Sequence, residues 1–165
     1  MGDNMRIKQL SLNQEQADRL IEMVKLLLDN YDINLKKQTQ GSMELTDNLE
    51  IHHFKLWYKY ALGNCHITLS YIDCVPILTL VRINLDSRFH NNSDGRVWGN
   101  RIEIFNEQEF YDKADSFTHY KAYKLPYKGI RDTNKFVTII KDFFRFTHIE
   151  GYTTFPFYLQ EELSE

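Results

Sequence analysis

The chain has 165 residues, 42% apolar and 14% aromatic, with 20 basic and 23 acidic side chains and a formal net charge of −3. That is enough apolar material for one domain with its own core, spanning residues 1–165, and too much for a disordered chain. The small negative charge leaves no global pull toward nucleic acid, and no window reaches the length of a bilayer span.

The two cysteines, Cys65 and Cys74, make neither a disulfide framework nor metal-site spacing. The first residues are polar and lack the apolar core of a signal peptide. A reduced, cytoplasmic setting without a membrane is expected.

Asn13 with Gln16 three residues on has the form of a capping box. Ala17, Leu20, Ile21, Val24, Leu27, Leu28 and Tyr31 then recur at helical spacing, with Glu15, Asp18, Arg19, Glu22 and Lys25 opposite them. An amphipathic helix is predicted, ended by Asp29-Asn30-Tyr31-Asp32. Residues 36–48 read as a polar connector containing Gly41 and Ser42. Residues 51–60 alternate, placing His52, Phe54, Leu56, Tyr58 and Tyr60 on one strand face. Leu62-Gly63-Asn64 supplies a tight turn into a partner strand over 65–72. A turn centred on Gly63 and Asn64 would set His53 opposite Cys74.

Residues 75–86, apolar and β-branched with Pro76 near their start, predict a central strand. A long polar loop follows, carrying His90 and the turn signal Asp94-Gly95, and is expected to project into water. Residues 101–105 return as a strand with Ile102 and Ile104 inward, and 119–125 give a fifth strand stopped by Pro126. Residues 110–117 carry no clear pattern. Asp132 or Thr133 would cap a final helix whose apolar face holds Phe136, Val137, Ile139, Ile140, Phe143 and Phe144. Gly151 and Pro156 end it, and Phe155, Phe157, Tyr158 and Leu159 form an aromatic tail expected to pack back on the body. The order predicts an α+β domain, an antiparallel sheet of about five strands with the N-terminal and C-terminal helices over one face.

His52, His53, Cys65, His66, Cys74, His90 and His119 are the residues that would ligate a metal. No Cys-x-x-Cys or His-x-x-x-His spacing joins them, so neither metal nor cofactor is expected. His90 with Asp94, near Glu103 and His119, offers an acid–base set in the manner of a small ribonuclease, because histidine moves protons near neutral pH and a carboxylate orients it. The same residue types are ordinary turn chemistry. No phosphate-binding glycine loop, Gly-x-Ser-x-Gly elbow or His-Glu-x-x-His helix is present.

Tyr120, Lys121, Tyr123, Lys124, Tyr127, Lys128, Arg131 and Lys135 interleave bases with aromatics. Such a patch would bring cations to phosphates and rings to unpaired bases. An edge strand guarded by lysines has the same pattern, and so does a surface read by a protein partner.

The stretch Leu12-Asn13-Gln14-Glu15-Gln16-Ala17-Asp18-Arg19-Leu20-Ile21 resembles the opening of a group of uncharacterised small proteins of bacteria and their phages, where Leu-Thr-Gln leads to Ala-Asp and a Leu-Ile pair. Leu85-Asp86, His90, Asn92, Asp94 and Gly95 are similar to that group's Leu-Asp and His-x-Asn-Pro-Asp-Gly turn, with Ser93 in place of proline. Residues 101–105, Arg-Ile-Glu-Ile-Phe, replace its His-x-His-Ile-Tyr strand, and Tyr123-Lys124-Leu125-Pro126 resembles the Tyr-Pro-Leu region that follows. The resemblance spans most of the chain. It implies the same α+β layout and carries no established activity. Arg101 and Glu103 stand where the group's paired histidines would be, which turns the reading away from an enzyme.

The leading expectation is a non-enzymatic protein that binds a macromolecule through an aromatic and charged patch. In its finer form it is a phage-encoded, anti-defence inhibitor that sterically blocks a bacterial defence nuclease, so the expected partner is a protein, a host nucleoprotein complex being one such target. The alternatives are an RNA-cleaving toxin of a toxin–antitoxin system using His90 and His119, and a nucleic-acid-binding accessory protein. An exposed edge strand would also allow a homodimer across a two-fold.

Overall fold

The capping box at Asn13 forms as its residues demand. The Asn13 side chain accepts from the Gln16 backbone N–H at 2.8 Å, and the Asn13 N–H donates to Gln16 Oε1 at 2.9 Å. It opens α1 (Gln14–Glu22), whose Ala17, Leu20 and Ile21 are buried. The computed structural model describes residues 9–29, 38–61 and 64–151. Within them lie β1 (Lys25–Leu27), β2 (Gln38–Thr46), β3 (His53–Ala61), β4 (Asn64–Tyr71), β5 (Leu78–Leu85), β6 (Phe89–Asn92), β7 (Gly95–Trp98), β8 (Arg101–Phe105), α2 (Glu107–Lys113), β9 (Tyr120–Lys124), α3 (Phe136–Phe146) and β10 (Ile149–Glu150).

The fold is mixed α+β, with an eight-stranded sheet in the order β10-β1-β2-β3-β4-β5-β8-β9 and a separate β6–β7 ribbon. Five strands was too few, and the sheet is not wholly antiparallel, because β1 pairs with β10 in parallel. The additional strands come from segments whose patterns misled. The periodic run after Glu22 leaves the helix when Met23 turns extended, and becomes β1. The polar connector is β2, which lies against β3 from Gln38↔Ala61 to Thr46↔His53. Its inward positions, Met43 and Leu45, are buried. Gly41 belongs there because the Tyr58 phenol lies across it; an added Cβ would stand 2.4 Å from Tyr58 Oη.

Three other expectations change. The patternless stretch contains α2, capped by Asn106, whose side chain accepts from the Glu109 N–H. Neither Asp132 nor Thr133 caps α3: Lys135 is the N-cap and offers no side-chain bond, while Thr133 Oγ1 accepts the Lys135 N–H at 3.2 Å. The polar loop after β5 is the β6–β7 ribbon, with its turn at Ser93-Asp94 before Gly95. The 62–63 part of the first turn and the aromatic tail fall outside the described residues.

Strand alternation sorts the sheet into two sides. One side carries the row Gly41, Tyr58, Ile67, Ile83, Ile102, Tyr123, in register across β2, β3, β4, β5, β8 and β9. Its strand residues share one apolar core with Leu20 and Ile21 of α1 and with Ile139, Ile140, Phe143 and Phe144 of α3. Phe136 sets its ring 5.9 Å from Tyr58 and 5.5 Å from Tyr60. No helix among the described residues is long and apolar enough to cross a membrane.

Lys25 is the point where these pieces join. It is fully buried, and its ammonium donates to the carbonyls of Ile21 at 2.8 Å, Met23 at 2.9 Å and Thr147 at 2.7 Å. Those carbonyls belong to the ends of α1 and α3, where backbone acceptors lack helical partners. The Phe54 ring lies 5.1 Å below the ammonium. Burial pulls the Lys25 pKa down from 10.5 to about 7, while three carbonyls match the three donors of the charged form. Replacing it leaves those oxygens buried without partners. Lys25→Met is therefore expected to lower stability by about 3 kcal/mol, read from the midpoint of urea unfolding.

Candidate functional site

The second side of the sheet begins with the alternation of β3, where Lys55, Trp57 and Lys59 point away from Phe54, Leu56 and Tyr58. One row runs Ser42, Trp57, Thr68, Arg82, Glu103, Ala122 across six strands, and the next runs Gln40, Lys59, His66, Asn84, Arg101, Lys124. Exposure falls steeply along the first row. Trp57 is 51% exposed, whereas Glu103 and Ala122 are 3% and 2% exposed. The β6–β7 ribbon accounts for the difference, since it folds back over β8 and β9 and leaves β2, β3 and β4 bare of any other described element.

The covered half is ionic. Arg101 donates to Asp86 at 2.7 Å and to the Gly99 carbonyl at 3.0 Å, and its Nε lies 3.4 Å from Glu103. Arg82 approaches the other Glu103 oxygen at 3.6 Å. His90 of the ribbon brings Nδ1 to 3.5 Å from Glu103 and stacks obliquely on Tyr120 at 5.4 Å. Charges this dry persist only when paired, and the pairing is nearly complete: His90 Nε2 and Glu103 Oε2 are the buried atoms among the described residues without a hydrogen-bond partner. Burial would raise the Asp86 pKa, but the hydrogen bonds from Arg101 and the Arg88 N–H, together with the Arg101 charge, hold it below the usual value. Burial lowers the His90 pKa below 6.5 against the pull of Glu103.

Asn92, at the end of β6, grips β9 by its free edge. Its Nδ2 donates to the Ala122 carbonyl at 2.9 Å, and its Oδ1 accepts the Ala122 N–H at 2.8 Å. One amide thus pairs both backbone groups of an edge residue, which closes that position to another strand. Ser93 donates to the buried carboxylate of Glu109 through its N–H and its hydroxyl. The loop expected to reach into water is instead clamped to the sheet, because His90, Asn92 and Ser93 each find a polar partner there.

The residues singled out for catalysis are held by different partners. His90 meets Glu103, exposed Asp94 pairs with Lys121 at 3.0 Å, and the ring nitrogens of His119 lie 2.9 Å and 3.1 Å from the Phe117 and Thr79 carbonyls. His53 meets Asp73, not Cys74: its Nδ1 lies 3.1 Å from both Asp73 oxygens, and the register sets Phe54 opposite Tyr71. His52 meets the Tyr71 hydroxyl at 2.9 Å and His66 meets Asn84 at 2.6 Å. Among the described residues no three His, Cys, Asp or Glu side chains are placed to hold a metal. Burial pushes the Cys65 thiol up to about 12 and raises Cys74 as well, so neither is a thiolate near neutral pH.

The Tyr120–Lys135 patch is dispersed. Tyr120 lies under His90 and Arg82, while Tyr123 and Tyr127 stack at 4.6 Å beside a groove of about 530 Å³ that Lys128, Arg145 and Phe146 also line. Lys128 lies over the Tyr127 ring, and Lys124 and Lys135 are exposed. Lys121 and Arg131 are engaged by Asp94 and Asp142, and Asp142 also receives Arg145. The patch gives no single surface, whereas Lys55, Trp57 and Lys59 do. A tryptophan on the polar phase of a strand, with a lysine two residues to either side, is the signal in the sequence that points to them.

Two outcomes follow from this arrangement. Asn92→Ala removes both bonds to the β9 edge and is expected to cost about 1–2 kcal/mol in urea unfolding, with increased self-association by light scattering. His90 supplies a pH dependence. Its folded pKa is below 6.5, so the unfolded chain binds more protons just under that pH and stability falls as pH drops through the window. The carboxylates with lowered pKa, Asp47, Asp86, Asp115 and Asp142, lose their contribution only as pH falls toward and below 3.8. Melts at about pH 7 and about pH 5.5 should show a loss of Tm in the wild type that His90→Asn reduces, the remainder coming from Lys25, whose folded pKa of about 7 gives a fall of the same sign.

No curated protein and no solved structure matches the chain. A family model does, over residues 12–149, and its description is family of unknown function (DUF6978). By the extent of that match, the chain belongs to DUF6978.

Proposed function

We propose that this protein is a non-enzymatic binding protein that takes hold of a macromolecule with the bare half of its sheet. The observation that carries the reading is Trp57, half exposed at the middle of β3, with the Lys55 ammonium 4.3 Å from its ring. An indole left in water costs hydration free energy that burial would recover, and contact surfaces are where such rings concentrate their effect. Ser42, Thr68, His66 and Lys59 surround it and would supply directional contacts.

The finer form of the proposal is a phage protein acting in the bacterial cytoplasm, where it sterically blocks a defence nuclease. What supports it is the aromatic surplus: Trp98, Tyr111 and Phe117 are 54%, 54% and 72% exposed, beyond what the core uses.

The test is co-sedimentation of the full chain with a bacterial lysate, compared with Trp57→Thr, a substitution that keeps a strand-forming residue. The wild type should move with a macromolecular fraction that Trp57→Thr leaves. Equal sedimentation of the two proteins rejects the reading.

A further inference from the structure

We infer that the bare half of the sheet binds single-stranded nucleic acid, with an unpaired base stacked on Trp57 and the flanking phosphates held by Lys55 and Lys59. The inference rests on the coarser binding reading above, not on its nuclease-blocking form, and names the partner of that face. Three observations lead to it.

The first is the polar surround of the ring. Trp57 is 51% exposed, and its cross-strand neighbours are Ser42 and Thr68. The row on one side holds Gln40, Lys59 and His66, and the row on the other holds Glu44, Lys55 and the buried Ser70. A protein interface surrounds its aromatic anchor with apolar side chains and is poor in lysine at its centre. Here the anchor is ringed by hydroxyls, an amide, an imidazole and ammonium groups. That environment suits a base, whose face stacks and whose edges take hydrogen bonds.

The second is charge. The chain as a whole carries −3, yet the bare half presents Lys55 and Lys59 against the single acid Glu44 in the rows described, while Arg82 pairs with Glu103, which Arg101 and His90 also enclose. The local sign is opposite to that of the molecule. A polyanion fits it, and an acidic backbone would be drawn to this side alone.

The third is spacing. The backbones of Lys55 and Lys59 lie two residues to either side of Trp57 on the same face, about 7 Å along the strand at a rise of ~3.4 Å per residue, and the Lys55 ammonium folds back to 4.3 Å from the ring. A strand of nucleic acid running along β3 would meet cation, ring and cation in turn. A duplex keeps its bases stacked on one another and offers Trp57 no open face, which makes the partner single-stranded.

The test is fluorescence anisotropy of the full-length protein with labelled oligo(U) and oligo(dT) of about a dozen nucleotides, and with a duplex of equal length. Both single strands, or oligo(U) alone, should bind more tightly than the duplex. Affinity should fall with salt at a log–log slope of about −1.4, as two phosphate contacts require. Trp57→Thr should weaken binding by about tenfold or more, Trp57→Phe should retain most of it, and Lys59→Gln should reduce the slope by about 0.7. Lys59→Gln changes an exposed side chain, so it remains informative if Trp57→Thr folds poorly.

Absence of single-strand binding at low salt overturns the inference. So does binding that Trp57→Thr and Lys59→Gln leave unaltered, or equal affinity for the duplex. If the oligonucleotides do not bind while Trp57→Thr still abolishes co-sedimentation with a nuclease-treated lysate, the partner is a protein: this inference fails and the binding reading stands.

Discussion

A single buried ammonium organises this molecule. Lys25 takes the carbonyls of Ile21, Met23 and Thr147, and so fastens the end of α1, the start of β1 and the end of α3 to one point. Helix ends leave acceptors that burial would otherwise strand without partners. By satisfying three at once, Lys25 lets the two helices finish inside the protein and lets β1 pair with β10 there. The sheet then extends through β1 to β2, and β2 supplies Gln40, Ser42 and Glu44 to the open face. The surface that carries the functional proposal is assembled from that seam.

The sheet has one apolar side and one divided side. Alternation along each strand makes the apolar side a continuous wall from Gly41 to Tyr123. The other side is split by a short insertion. The β6–β7 ribbon covers β8 and β9, where Arg101, Glu103, Asp86 and His90 neutralise one another out of water. Beyond the ribbon the same rows continue into Thr68, Trp57 and Ser42 with no described element above them. Charge is thus buried and paired at one end of a row and open at the other. The difference is one of cover, since the residue types along the row are similarly polar.

That division also explains the fate of the catalytic and basic patterns seen in the chain. A histidine beside a turn of Asn, Ser, Asp and Gly has the composition of an active loop, yet Asn92 and Ser93 spend their hydrogen bonds on Ala122 and Glu109. A run of tyrosines and lysines has the composition of a nucleic-acid patch, yet β9 alternates and its neighbours are engaged, Lys121 by Asp94 and Arg131 by Asp142. The residues in the best position to meet a partner are the sparser set on β3.

Local pattern was sufficient for several parts. The Asn13 capping box, the aromatic face of β3, the β3–β4 hairpin, the apolar centre of β5, the tight turn ahead of Gly95 and the core face of α3 are each decided by neighbours within a few residues. Capping, alternation and turn chemistry act over that range. The polarity of β3 was legible too, and with it the odd placing of Trp57 between two lysines.

Other parts depended on groups distant in the chain. Residues 24–28 keep helical spacing, but Lys25 finds Thr147, and Lys25 and Leu26 pair as a strand with Ile149 and Glu150. Residues 38–46 look like a connector, but β3 offers them a ladder and Tyr58 covers Gly41. His90 looks like a solvent residue until Glu103 and Tyr120 arrive beside it. In each case a long-range partner outweighs a weak local preference, as tertiary contacts do. The sequence alone determined which residues are apolar, which alternate and where caps and turns fall. Only the folded chain decided which side of the sheet would be covered, because burial depends on what else arrives there.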